Sequence, residues 1–350
     1  MAVQIAPYSD DVVRRRINRL LKKNEKEIRE IYIAAGKLLK ALLDEYLKQY
    51  KEQDDRRRQE WKDGKIKEQD YLQWRIATII MTKRWLKTRG RITSELVDAA
   101  TKARHTTIGY MPEVFRIAKN QSLVDIALQT ADMMGLEAEA TTIGRGRIIK
   151  RTVTRSSPLA AGISPFPTRL TVGSSISFDL VDEHTALRLF TTKDRIYHMM
   201  GKKKFAEVQA GLRTPWEKQK VQSALFTSIM MGEDIGQIAQ RIADTVTVDN
   251  MNEAVRDART MTTGAESAGR VDSYIEAEEK GIIMKQVWLA TIGDGRTREA
   301  HLKLDHQKVD VGEPFRVNGD EIRFPGDPTA PGYLVYNCRC AIAAEVIGFR

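Results

Sequence analysis

The sequence predicts an α+β protein with a mainly helical N-terminal and central body, an extended β-rich arm and a small C-terminal α+β module. Three observations predict it: apolar residues at helical spacing from residue 11, a stretch rich in Thr, Ser, Gly, Pro and β-branched residues from residue 141, and short strand-like runs after residue 281. We therefore divide the chain into a helical, basic region 1–140, an extended β/loop arm 141–183, a helical central region 184–281 and the C-terminal module 282–350.

The first long helix is predicted over residues 11–50, because apolar side chains recur there at alternating steps of three and four. Its stripe comprises Ile17, Leu21, Ile28, Ile31, Ala35, Leu38 and Leu42. The polar segment 51–65 ends in the turn signal Asp63-Gly64, so we expect the helix to break there. A second helical region is predicted over 68–104 with an interruption near 88–91, and its aromatic side chains are expected in the core.

The formal charge of +10 is distributed unevenly along the chain. Residues 1–100 carry +8, residues 101–250 carry +5, and residues 251–350 carry −3. A basic surface favours polyanions, so a nucleic acid or an acidic protein is a reasonable partner. The alternative is a set of solvated helical faces with no partner.

The arm carries closely spaced basic residues between strand-like runs. They are Arg145, Arg147, Lys150, Arg151 and Arg155. On an exposed ribbon these side chains could contact DNA phosphates or an acidic neighbouring subunit, and the alternative is a surface loop without such a partner.

The central region has its own helix signals. Thr214 is a predicted N-cap with Pro215 at the first helical position, and Gly232 divides the segment 213–246 into two helices. The segment 250–281 is rich in small residues, which let helices approach closely, and Gly281 is a predicted helix stop.

Two cysteines, Cys338 and Cys340, are the only ones in the chain. A disulfide between positions i and i+2 would be strained, and two cysteines in 350 residues fall far below the density of small secreted scaffolds. The N-terminus has no apolar core typical of a signal peptide, and the apolar runs are too short to span a bilayer. We therefore expect a soluble protein of cytosolic origin.

The C-terminal module holds the densest set of reactive side chains: Asp294, Arg296, Arg298, His301, Asp305, His306, Asn337, Cys338 and Cys340. One interpretation is a zinc site with both thiolates, His301 and a fourth ligand from His306, Asp305 or Asp294. A second is catalytic, with Arg296 and Arg298 holding a phosphate while His301 exchanges a proton. A third is structural, with the charged groups paired and the thiols packed as small hydrophobes.

The order of motifs resembles a known family. "WLATIGDGRTREAHLKLDH", "FPGDP" and "YNCRC" resemble the C-terminal signature of phage head morphogenesis proteins, the Mu F-like minor capsid family. Segments such as "GYMPEVF" and "ARTMTTGAESAGRVDSY" resemble minor head proteins of tailed phages. The residues recurring in that family fall on Trp288, Asp294, Arg296, Arg298, His301, Asn337, Cys338 and Cys340, and we expect them, with Asp305, to form a structural cluster.

One position departs from the family pattern. Members usually have Leu-Asp-Gly where this chain has Leu304-Asp305-His306. Either the backbone freedom of glycine is dispensable here, or the chain has gained a polar group of its own.

The resemblance implies a non-enzymatic virion protein, located inside the phage head near the portal. Its implied activity is procapsid assembly, DNA packaging or genome delivery. Its implied partners are the portal protein, the major capsid or scaffold protein, and double-stranded DNA without sequence specificity, but no membrane. No toxin domain of the kind some relatives carry is expected after Cys340, and zinc is the cofactor that the cluster could hold. The alternative is a nucleic-acid- or nucleotide-acting enzyme that uses the C-terminal Asp, Arg, His and Cys side chains.

Overall fold

The computed structural model describes residues 12–144, 147–154, 168–191, 213–293 and 295–350. Long helices and small antiparallel sheets make up the described chain, so the predicted α+β class is confirmed. No helix in these ranges is both long enough and apolar enough to cross a lipid bilayer.

The helices of the first half are α1 (Val12–Lys48), α2 (Lys51–Lys62), α3 (Glu68–Arg75), a π-helical segment (Ile76–Ile80) and α4 (Lys83–Met134). Strands β1 (Ala138–Gly144), β2 (Arg147–Thr152), β3 (Thr168–Val172) and β4 (Ile176–Asp179) follow, and then α5 (Glu183–Thr191).

The second half begins with α6 (Arg213–Met230) and α7 (Ile235–Glu279). The C-terminal elements are β5 (Ile282–Leu289), α8 (Glu299–Leu304), β6 (Lys308–Asp310), β7 (Phe315–Val317), β8 (Asp320–Ile322), α9 (Gly332–Val335) and β9 (Ala341–Phe349).

The chain folds into two compact units. One, called the helical unit, consists of 25–106 and 206–255; the other, called the mixed unit, consists of 1–24, 107–205 and 256–350. The boundary falls inside α1, α4 and α7, so each unit is assembled from segments that are distant in sequence.

The helical unit has an apolar core that includes Leu39, Trp85 and Ile238. A buried ion pair accompanies this core: Arg75 Nε lies 2.7 Å from Asp54 Oδ1, and both side chains are inaccessible to solvent. Tyr71 Oη donates a hydrogen bond to the same carboxylate oxygen at 3.1 Å. These bonds join α2 to α3 and satisfy the buried charge.

One prediction about helix breaks in this unit is confirmed and one needs correction. Residues 51–62 are helical, and the chain turns at Asp63-Gly64 as predicted, where Gly64 has a positive φ of 70°. The expected interruption near 88–91 is absent, because α4 runs without a break through this stretch; the irregularity lies at the π-helical segment. Burial of Trp85 and Ile92 outweighs the weak helix propensity of Gly90.

The mixed unit contains a four-stranded antiparallel sheet with strand order β2-β1-β3-β4. The described part of the predicted β-rich arm forms most of this sheet, and β1, β3 and β4 each place side chains in the core. Leu170, Val172 and Phe178 belong to the same apolar cluster as Trp288 and Ile342 of the C-terminal module. The arm and the C-terminal module therefore share one core.

The C-terminal module is built on the antiparallel sheet β6-β5-β9, with the hairpin β7-β8 beside it. The Gln129 side chain of α4 covers the open edge of β9: its Nε2 donates to Ala344 O at 3.1 Å, and its Oε1 accepts from Val346 N at 3.0 Å. This pairing satisfies backbone groups that an edge strand otherwise leaves without partners.

Candidate functional site

The side chains at the centre of the C-terminal module come from three elements. Trp288 lies on β5, paired with Ile342 of β9, and is fully buried. His301 lies on the inner face of α8, together with Ala300 and Leu304. The third element is the extended segment 338–340 that precedes β9.

His301 contacts both cysteines. Its Nδ1 lies 3.3 Å from Cys340 Sγ and 3.5 Å from Cys338 Sγ, and its Nε2 lies 3.0 Å from Leu334 O. The imidazole meets the Trp288 indole edge to face, with ring centroids 5.7 Å apart. His301, Cys338 and Cys340 are 2%, 3% and 6% exposed, so these polar atoms are removed from water.

The backbone around the cysteines is held by hydroxyl groups. Thr263 of α7 donates to Cys338 O at 2.8 Å, Thr260 Oγ1 accepts from Asn337 N at 3.1 Å, and Thr291 donates to Arg339 O at 2.7 Å. Since residues i and i+2 of an extended chain point to the same side, both thiols face His301. The threonines of α7 were missed by the sequence analysis, because no local pattern distinguishes them from other helical threonines.

The two thiols titrate differently. A hydrogen bond with Cys338, supported by His301, lowers the pKa of Cys340 to about 5. The same hydrogen bond, together with burial, raises the pKa of Cys338 well above its ordinary value. The two thiols therefore differ in the direction of their pKa shifts, and both cysteines are free of a disulfide.

Two of the charged residues expected in the cluster, Arg298 and Asp305, contact backbone groups beside it. Arg298 donates to Tyr336 O, and Asp305 Oδ1 accepts from Ala290 N at 2.8 Å. Arg296 is exposed, whereas Asp294 lies outside the described residues. The side chains of Trp288, His301, Cys338 and Cys340 form the centre, while Arg298, Asp305 and Asn337 fix the segments that carry it.

His306 stands where the family pattern has glycine, and its backbone conformation shows how this position is occupied. Its φ is +60°, so this residue keeps the left-handed conformation that glycine adopts most readily. The left-handed conformation is therefore retained here without glycine. The turn lets His306 N donate to Trp288 O at 2.8 Å, and Gln307 O accept from Trp288 N at 3.0 Å. The imidazole itself is exposed.

A buried carboxylate in the "PGDP" turn was also missed, because the motif indicates only a turn. Asp327 is 1% exposed and accepts hydrogen bonds from Arg323 and Thr329, at 2.7 Å from Arg323 Nη2 and 2.9 Å from Thr329 N. Burial alone would raise the pKa of Asp327, but these hydrogen bonds outweigh burial and lower it. The turn is therefore held by an ionised side chain.

The structure describes three of the five basic residues predicted for the arm. Arg147, Lys150 and Arg151 lie on β2, at the edge of the four-stranded sheet, and every residue of β2 is exposed. Ile148 and Ile149 are exposed beside them. Arg145 and Arg155 lie outside the described residues.

A comparison with protein families identifies the segment that carries this site. The family described as "Phage Mu protein F like protein" matches residues 219–343. Residues 219–343, a little over a third of the chain, are therefore similar to Mu F-like proteins. The resemblance predicted from the sequence is confirmed over this segment, which includes Trp288, His301 and both cysteines.

Among curated proteins, NAD(+)–arginine ADP-ribosyltransferase EFV of Enterococcus faecalis is 35% identical over 130 residues. The match covers 37% of this chain and 26% of the relative, so the aligned region is about a quarter of that protein's length. No solved structure matches the chain.

Proposed function

We propose that this protein is a minor capsid protein of a tailed bacteriophage, bound at the portal inside the head and acting in procapsid assembly, DNA packaging or genome delivery. The observation that carries the proposal is the Mu F-like match on residues 219–343. Within that segment, side chains from three separate elements converge on one buried centre. That centre supports a structural assignment, because its polar atoms are enclosed and lie among packed aromatic side chains.

The test is to locate the protein in the particle. We expect mass spectrometry of purified heads to detect it at low copy number, and electron cryomicroscopy to show its density at the portal vertex. Co-expression with the portal protein of the same phage should give a complex on size exclusion. Absence from purified heads, together with no binding to the portal protein, would reject the proposal.

A contact with DNA is part of the proposal and rests on β2. Arg147, Lys150 and Arg151 are exposed on an edge strand, where they can reach phosphates. Each phosphate neutralised by a basic side chain adds about 0.9 to the slope of log K against log salt. Replacing all three by glutamine should therefore lower that slope by as much as about 2.7.

A control variant distinguishes the contribution of Arg147, Lys150 and Arg151 to DNA binding from the contribution of net charge. Lys303, Lys308 and Arg316 are exposed but ion-paired with Glu299, Glu345 and Glu321 respectively. Their replacement by glutamine changes the formal charge equally and should leave the slope nearly unchanged. Equal slopes for the two triple variants would assign DNA binding to net charge or to another surface, and a flat salt response in the unaltered protein would point to protein partners.

An enzymatic activity is the second candidate, because the curated relative is named an arginine ADP-ribosyltransferase. Incubation with labelled NAD and an arginine-rich acceptor protein tests it. Under the head-morphogenesis proposal no label is transferred. Transfer that His301→Ala or Arg298→Ala abolishes without loss of assembly would favour the enzyme, whereas loss of assembly alone would favour the structural assignment.

A further inference from the structure

We propose that His301, Cys338 and Cys340 bind a zinc ion that joins α8 to the segment before β9. Their ligand atoms, one imidazole nitrogen and two sulfurs, all lie within 4.8 Å of one another. Among the described residues this is the one group of three or more His, Cys, Asp or Glu side chains that is so arranged. Nitrogen and sulfur are the donor atoms that zinc takes in proteins.

The distances between the donor atoms fit a tetrahedral ion. With Zn–S of about 2.3 Å and Zn–N of about 2.05 Å, a tetrahedral angle separates sulfur from nitrogen by about 3.6 Å. The observed separations are 3.3 Å to Cys340 and 3.5 Å to Cys338. Both nitrogen–sulfur separations therefore lie within about 0.3 Å of those around a tetrahedral ion.

The tautomer of His301 favours coordination. A carbonyl oxygen only accepts hydrogen bonds, so the contact of 3.0 Å between Nε2 and Leu334 O places a proton on Nε2. In neutral imidazole the lone pair is then on Nδ1, the atom that faces both sulfurs. Metal-bound histidines commonly donate their other N–H to a carbonyl or carboxylate, and this contact fixes the ring in that way.

The charge balance also favours a divalent ion. Two thiolates cannot both be charged in this buried position without compensation, whereas two thiolates, a neutral imidazole and Zn²⁺ sum to zero. A disulfide between the cysteines is the competing arrangement. It would require strained geometry across residues i and i+2, and it would leave the Nδ1 lone pair without a donor.

Within the described residues the site has three protein ligands, and Asp294, one candidate for the fourth, lies outside them. Of the side chains considered from the sequence, His306 is exposed, and the Asp305 carboxylate is bonded to Ala290 N; neither belongs to the group. The cross-link spans 37 residues to Cys338 and 39 to Cys340, so it restricts the unfolded chain much as a disulfide over a similar loop does.

The experiment uses the full chain without a metal-binding tag, expressed with zinc in the medium and purified without chelators. Elemental analysis should find about one zinc ion per chain. Cys338→Ser and Cys340→Ser should each lower the zinc content at least about tenfold, the loss that even outer contacts of a metal site can cause. A chelator should lower the melting temperature of the unaltered protein, and added zinc should restore it.

Val335→Ala is the matched control. Val335 is 5% exposed beside the ligands but offers no donor atom, so this variant should melt at a lower temperature and keep its zinc. Cobalt provides a readout that does not depend on the stability of any variant, because tetrahedral cobalt with thiolate ligands absorbs strongly in the visible range. Absence of zinc and of the cobalt spectrum, with a melting temperature that chelator leaves unchanged, would overturn the proposal, as would a disulfide detected in the freshly purified protein. None of these results depends on whether the protein acts at a portal.

Discussion

A close approach between two helices of the mixed unit provides a quantitative test. A Cβ atom at Gly269 of α7 would lie 2.5 Å from Phe115 O and 3.1 Å from Lys119 N, both backbone atoms of α4. A carbon normally approaches an oxygen no closer than about 3.3 Å. Gly269→Ala would therefore force the two helices about 0.8 Å apart at this point.

The cost in folding free energy arises because this separation disturbs ion pairs between the two helices. Lys119 Nζ lies 2.7 Å from Asp272 Oδ2 and 2.6 Å from Glu276 Oε2, and all three bridge the same pair of helices. Overpacking of a well-packed core costs about 1–3 kcal/mol. We expect the upper end, because backbone atoms cannot rotate away. After an offset of about 1 kcal/mol from the better helix propensity of alanine, the net loss is about 2 kcal/mol.

Gly109→Ala is the control in the same unit. Gly109 lies within α4, and a Cβ atom added there would meet no other atom within 4 Å, so alanine should stabilise the protein by about 1 kcal/mol. The two variants should differ by about 3 kcal/mol, or about 6–12 °C in melting temperature. Hydrogen exchange should show faster exchange in α4 and α7 for Gly269→Ala. A Gly269→Ala variant as stable as the unaltered protein would refute the close approach.

Three further predictions concern single positions. His306→Gly should stabilise the protein by about 1 kcal/mol in urea unfolding, because it relieves a left-handed residue, whereas His306→Ala should not. Asp327→Asn should cost about 1–3 kcal/mol, because hydrogen bonds from Arg323 to a charged acceptor are lost. Because the pKa of Asp327 is lowered in the folded state, the stabilisation from its charge is present above about pH 4 and is lost as the pH falls through the folded pKa. The unfolding free energy of Asp327→Asn should therefore depend less on pH in that window. Asp54→Leu should cost about 3–5 kcal/mol in thermal unfolding by leaving Arg75 buried without its partner, and Asp54→Leu with Arg75→Met should cost less.

Local sequence patterns predicted helices, strands and helix breaks well where one local signal dominates, such as the spacing of apolar residues or a single glycine. The stripe of residues 11–50 predicted α1, the first strand-like run after residue 281 predicted β5, and Gly232 separates α6 from α7 as expected. The interruption near 88–91 was wrong because propensity is a weak influence beside the burial of Trp85 and Ile92 on one face of α4.

The site could be predicted in composition but only partly in arrangement. The sequence singled out His301, Cys338 and Cys340, and the structure places them in contact. The sequence could not predict that Asp305 would bind a backbone amide, or that threonines of α7 would hold the cysteine segment, because those contacts join residues distant in sequence. The left-handed backbone conformation of His306 became evident only from its φ angle in the structure.

The sequence alone determined which segments are helical or extended and which motifs the chain carries, because these depend on neighbours two to four residues away. Tertiary structure decided that the arm shares a core with the C-terminal module, that α4 and α7 touch at Gly269, and that a histidine meets two cysteines 37 and 39 residues further on. Those outcomes depend on which apolar faces are buried together, and burial is a property of the whole folded chain rather than of any short stretch of it.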